Sequence, residues 1–263
     1  MHRLIGLIRY QELLWDLERI SDMDIIYDDA EEIVRRNWKN FISRYTCNNT
    51  ERFHAGNSWE EFGFQLICSQ YNLSSRKYHN LEHISVVLQV VREILKWSLD
   101  KNLIKDPNSL YLLEAACVLH DVIYDTHSKT NEKDSAWFSI NLLALYEAGA
   151  DSVAVEEIIV ATEHKKDFKV GCEDIFPGIE FLCDVIRDAD LFILAESEER
   201  YDEYAKQIRQ EYLWVSQMMY DAGRMAILNG LAAGQIYRTD FAKEQGWEEK
   251  ALNNIKRELG FKK

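Results

Sequence analysis

Proline is almost absent from this chain, with only Pro107 and Pro177 in 263 residues, and glycine is held to eleven. A protein of many short strands needs more turn punctuation than that, so an all-β fold is disfavoured and helices are the expectation. Basic residues are also in deficit, 31 against 45 acidic ones, for a formal net charge of −14. Such a surface repels phosphate backbones and anionic bilayers, which argues against long nucleic acids and membranes as partners. A small phosphorylated ligand stays open, because a bound divalent ion reverses the field locally. The five cysteines (Cys47, Cys68, Cys117, Cys172 and Cys183) form no C-x-x-C pair and are odd in number. They fit small core residues in a reducing compartment better than a disulfide framework. No stretch approaches the ~18 apolar residues of a membrane span. The apolar and basic start, Met1 to Tyr10, is followed by no small-residue cleavage site, so a cytoplasmic protein is expected.

What the chain does have is apolar content, 47% of residues, enough at this length to bury a substantial core. That content recurs at helical spacing. His79, His83, Val86, Val90, Ile94 and Trp97 share one stripe. Asp106-Pro107 reads as an N-cap with proline at the first helical position, opening a helix with Leu113, Ala116, Cys117 and His120 on one face. Further helices are expected over Asn131 to Glu147, from Asp151 towards His164, after Pro177-Gly178, and over Tyr201 to Met219. The acidic segment Asp22 to Glu32 reads as a connection or a solvated helix end. The expected architecture is all-α: a compact helical bundle over residues 51–263, preceded by an added N-terminal helical segment, 1–50.

The chemistry gathers on His79, His120-Asp121 and Asp190. Each lies on or beside an otherwise apolar helix face, which aims it into the bundle. Imidazole nitrogen with carboxylate oxygen suits a divalent ion such as Mn, Fe, Ni, Zn or Mg. Taken singly, each of these residues is as well explained by core hydrogen bonding. No Walker A loop, G-x-G-x-x-G fingerprint or G-x-S-x-G elbow is present, which leaves nucleotide-triphosphate motors, Rossmann enzymes and serine hydrolases without support.

Longer blocks carry a resemblance. Arg76-Lys77-Tyr78-His79-Asn80-Leu81-Glu82-His83-Ile84 resembles the R-x-Y-H-N-L-x-H-I signature of a bacterial branch of the HD-domain phosphohydrolase superfamily. Leu119-His120-Asp121-Val122-Ile123-Tyr124-Asp125, with Asn131-Glu132 and Ser135 after it, is similar to that branch's next block. Ala161 to Lys165, Asp188-Ala189-Asp190-Leu191, Tyr201, Tyr204, Ile208-Arg209, Glu211-Tyr212 and Gly223-Arg224 follow in order. The likeness spans roughly Ser58 to Leu259. It implies a helical metal-dependent phosphohydrolase with His79, His120, Asp121 and a final aspartate as metal ligands. Asp188 and Asp190 stand two apart on a helix and point about 200° apart. Asp190 borders the Leu182/Ile186/Ala189/Ile193 stripe and is the choice, with Asp188 either supporting the site or solvated.

The remaining assignments follow from that resemblance and each has a plainer alternative. His83 is a proton-handling group, a second-metal ligand, a group that binds substrate phosphate, or a core histidine. His164 touches substrate phosphate or a second metal, or is a cation at a helix C-terminus. Asp125 and Glu132 are general acid or base candidates, or solvated carboxylates. Arg76 and Arg209 offer planar forks for a phosphate, or are surface residues. The implied activity is metal-dependent hydrolysis of a phosphoester in a small metabolite or nucleotide. A non-turnover sensor on the same scaffold is the first alternative. A two-iron oxygenase, drawing on His83, His127 and His164, is the second.

Overall fold

The computed structural model describes residues 29–45, 59–104, 108–165 and 167–261. The expectations placed on Met1 to Tyr10, most of Asp22 to Glu32, Cys47 and Asp106-Pro107 lie outside them. Among the described residues the regular elements are all helices, with no strand. In chain order they form α1 (Ala30–Ile42), α2 (Trp59–Tyr71), α3 (Leu81–Asp100), α4 (Asn108–Leu119), α5 (Asn131–Ala144), α6 (Ala150–Ala161) and α7 (Ile179–Asp190). A 3-10 turn (Leu191–Ala195) leads to α8 (Glu198–Glu211), α9 (Gln217–Ala232), α10 (Asp240–Glu244) and α11 (Trp247–Phe261). None of these helices is long and apolar enough to cross a membrane.

α4 is the central helix. Leu110, Leu112, Leu113, Ala115, Ala116, Cys117, Val118 and Leu119 are all buried, so it is enclosed around most of its circumference, with Glu114 as its one buried charge. It packs against α1, α3, α6 and α7, and ends by delivering His120 and Asp121 to the interior. α8 to α11 form a second layer, with α11 seated on the 3-10 turn.

α1 is an integral part of this core and not an appendage to it. Val34, Trp38, Phe41 and Ile42 are wholly buried, and α1 packs on α2, α3 and α4. A buried polar bond reinforces the seam: Arg92 on α3 donates to Glu114 on α4 and to Asn37 on α1, each at 2.5 Å. The described part of the 1–50 segment therefore shares one core with residues 59–261.

Two expected boundaries are corrected. α3 starts at Leu81, capped by Asn80, whose side-chain oxygen accepts from the backbone N–H of Glu82 (2.9 Å) and His83 (3.3 Å). His79 therefore precedes the helix and does not share a face with His83. The helix expected over Tyr201 to Met219 is two helices, broken between Glu211 and Gln217. Arg209 stabilises the break by donating to the carbonyls of Tyr212 (2.6 Å) and Val215 (3.1 Å).

Candidate metal centre

The C-terminus of α4, the first turn of α3 and the end of α7 converge on one point. There, ligand atoms of His83, His120, Asp121 and Asp190 all lie within 4.8 Å of one another. His83 Nε2 stands 3.2 Å from Asp190 Oδ1 and 3.6 Å from Asp121 Oδ2. His120 Nε2 stands 3.4 Å from Asp121 Oδ2 and 3.6 Å from Asp190 Oδ1. These contacts miss hydrogen-bond geometry, and both Nε2 atoms are buried without a hydrogen-bond partner among the described residues. Buried polar atoms left so are uncommon and call for an explanation.

A cation supplies one. Metal–ligand bonds of ~2.0–2.2 Å place neighbouring donors ~3–3.5 Å apart, close to the separations seen here. His120 is also set up in the right tautomer: its Nδ1–H donates to the Cys117 carbonyl at 2.9 Å, leaving Nε2 as the lone-pair nitrogen. The electrostatics agree. Burial alone would lower the His120 pKa, but the fields of Asp121 and Asp190 push it well above its ordinary value. Burial would raise both carboxyls, yet the neighbouring imidazoles hold Asp121 and Asp190 below the usual carboxylate range. Two carboxylates in a buried space call for a positive charge, which a divalent ion or a proton on His120 supplies. Two imidazoles with two carboxylates suit a borderline or hard divalent ion.

Of the four residues expected as ligands, His120, Asp121 and Asp190 are brought together and His79 is not in the group; His83 takes its place. His79 lies beside the group, its ring stacked on Tyr124 at a centroid distance of 3.8 Å. Its Nδ1 is 2.7 Å from Glu211 Oε2. The same Glu211 carboxylate accepts the backbone N–H groups of Lys77, Tyr78 and His79 through Oε1, at 2.7, 2.8 and 3.0 Å. One buried side chain from the end of α8 thus fixes the turn before α3. Sequence reasoning assigned Glu211 no role, since nothing local links positions 132 residues apart. The His79/His83 choice did have a local signal: asparagine followed by Leu-Glu-His marks an N-cap and so places His83, not His79, in the helix.

His164 sits at the rim of the centre, with Nε2 2.8 Å from Asp190 Oδ2. Asp190 thus spends one oxygen on the four-residue group and the other on His164. The backbone of His164 has φ +51°, a left-handed conformation costly for a residue with a side chain, so the surrounding structure holds it there. Glu132, at the start of α5, is half-buried. Burial first, and then the charges of Asp121, Glu163 and Asp190, raise its pKa.

Three expected site residues are spent elsewhere. Arg76 is buried and donates to the carbonyls of Asp121 (2.7 Å), Val122 (2.8 Å) and His79 (3.3 Å). It braces the turn that carries Asp121, and its fork is not offered to a phosphate. Arg209 is spent on the α8–α9 break and on Gln217. Asp125 is exposed and accepts the backbone N–H of His127, with the His127 ring 3.0 Å away, which keeps its carboxyl low and commits it to a surface turn. Asp188 is neither solvated nor part of the centre. It is wholly buried and accepts from Arg238 N, Thr239 N and Thr239 Oγ1 at 2.7–2.8 Å, latching the segment before α10 onto α7.

Compared with known proteins, the chain matches no family model, no curated protein and no solved structure.

Proposed function

We propose that this protein is a metal-dependent hydrolase of phosphoester bonds in a small phosphorylated metabolite or nucleotide, on a scaffold of the HD-domain type. One observation carries the reading: two buried imidazole nitrogens without hydrogen-bond partners face two carboxylates at ligand spacing. The ordered blocks that resemble the HD superfamily supply the reaction class.

His83, His120, Asp121 and Asp190 would hold the ion. Bound there, a divalent ion would supply a lowered pKa to a water and polarisation to a phosphoryl oxygen. The chain does the rest. The Cys117 carbonyl keeps His120 in the ligating tautomer, and Arg76 fixes the backbone of Asp121. His164 orients Asp190 from its free side. Burial, and then the neighbouring carboxylates, raise the Glu132 pKa, which makes it the general acid or base candidate beside the centre. Asp125, turned towards His127, takes no part.

The test is elemental analysis of purified wild type beside His120→Ala and Asp121→Ala, with circular dichroism to check folding, followed by a phosphoester panel with the metal found. The expected result is one or more equivalents of transition metal in wild type, lost from both folded variants, with phosphate release that disappears with the metal. Wild type that stays empty after incubation with Mn, Fe, Ni or Zn would sink the proposal, as would a loaded protein that releases no phosphate.

A further inference from the structure

α8 presents one face to the turn before α3. Arg200, Tyr204, Gln207 and Glu211 recur at spacings of four, three and four residues and so share that face. Two of the four are committed to holding the turn: Glu211 takes three of its amides, and Tyr204 packs edge-on to Tyr78 at a centroid distance of 4.7 Å. Arg200 and Gln207 also line a small cleft, open to solvent, that contains His83 and Asp190.

The cleft is graded from floor to rim. His83, Val87, Ala189 and Ile193 are buried and form the floor beside the metal centre. Lys77 and Arg200 are exposed and stand at the rim, with Gln207 half-buried between these levels. Neither the Lys77 ammonium nor the Gln207 amide has a hydrogen-bond or ion-pair partner among the described residues. The amides of the first turn of α3 cannot serve a ligand here, because the Asn80 side chain already takes those of Glu82 and His83. Recognition in this cleft therefore falls to side chains. The carboxylates of Glu82 and Glu196 also line the cleft.

We propose that this cleft is the leaving-group pocket of the metal centre. It selects short phosphoesters whose far end carries a second anionic group, bound by Lys77 and Arg200 with Gln207 as an added donor. The proposal rests on the hydrolase reading for its orientation, with the phosphoryl group at the floor and the second anion at the rim. Charge-assisted hydrogen bonds from lysine and arginine are the strong ones, and they discriminate against a neutral group of similar size.

The experiment measures binding, so that it does not depend on turnover. Manganese-loaded wild type and a Lys77→Ala/Arg200→Ala double variant, checked for equal metal content, are titrated calorimetrically with two matched pairs. These are 3-phosphoglycerate against glycerol 3-phosphate, and 6-phosphogluconate against glucose 6-phosphate. Wild type is expected to bind the carboxylate-bearing member of at least one pair about tenfold more tightly, which is ~1.4 kcal/mol. The double variant should bring the two members within about twofold of each other, the discrimination going with the two charge-assisted contacts. Equal affinities in wild type, no binding of any probe, or discrimination that survives the double substitution would each overturn the pocket assignment. Discriminating binding without phosphate release would keep the pocket and sink the hydrolase. Phosphate release without discrimination would do the reverse.

Discussion

Glu211 shows how much a single buried carboxylate carries here. Burial alone would raise its pKa, but the His79 ring and the turn amides hold it below its ordinary 4.5. Burial would lower His79, yet its hydrogen bond to Glu211 and the fields of Asp121 and Asp190 raise it above its ordinary 6.5. A depressed carboxyl contributes stability that is present above 4.5 and is lost as the pH falls through its folded value. A raised imidazole contributes stability that is present below 6.5 and is lost as the pH rises through its folded value. The two windows overlap. Glu211→Gln should therefore destabilise metal-free protein most between about pH 4.5 and 6.5, by roughly 2–4 kcal/mol, the cost of breaking a buried charged pair and its hydrogen bonds. Urea titrations of both proteins across pH 3–9 check this; a difference that stays flat with pH would refute the pairing. Metal affinity offers a second readout at this scale. His164→Ala removes the group that orients Asp190 and should weaken metal binding by roughly 10–100-fold, as loss of an outer partner of a ligand does. Competition with a chelator measures it.

At the scale of elements, close approach decides what can be tolerated. Gly63 on α2 lies where a Cβ would fall inside contact distance of the Tyr146 hydroxyl and the Trp38 ring. Those two groups cannot withdraw cheaply: Tyr146 donates to the Trp59 carbonyl at 2.6 Å, and Trp38 Nε1 donates to the Glu60 carbonyl at 2.8 Å. Gly63→Ala is expected to cost about 1–3 kcal/mol by overpacking, even though alanine is the better helix former. Thermal melting checks it, and an unchanged or raised Tm would mean that α2 is free to shift. The break between α8 and α9 belongs to the same scale. Apolar spacing continues through it, and only the arginine bonds to Tyr212 and Val215 and the packing of each helix on different neighbours end one and start the other.

Over the whole molecule, the strongest expectation concerns α1. Trp38 and Phe41 are fully enclosed by α2, α3 and α4, and truncating either to alanine would cost roughly 3–5 kcal/mol. Deleting residues 1–45 removes both, together with Val34 and Ile42, and uncovers Arg92 and Glu114. Total stabilities of ~5–15 kcal/mol do not survive that loss. The truncated chain should lack a cooperative melt; a cooperative melt near the wild-type Tm would show a core independent of α1. A metal held by the centre would act at this scale too, because an ion bound only by the folded state stabilises the whole. At a hundred times its Kd it should add ~2.7 kcal/mol, seen as a rise in Tm that chelation reverses.

Legibility from sequence follows the range of the interactions concerned. The all-helical class, most helix starts, and the placing of His120, Asp121 and Asp190 on inward faces were readable. They depend on spacings within one helix and on the buried stripe each residue borders. Asn80 as an N-cap was a local signal that the single stripe through His79 and His83 passed over. Arg76, Arg209 and Asp125 were not, because an arginine fork serves a phosphate or a carbonyl equally well until the neighbours are known. The same holds for Asp188, which binds amides 50 residues away, and for Glu211, which binds amides across 132. Local periodicity determined which residues face inward. Only the packing of α3, α4, α7 and α8 decided which of them meet, because a polar side chain takes its role from the partner that folding brings within about 3 Å.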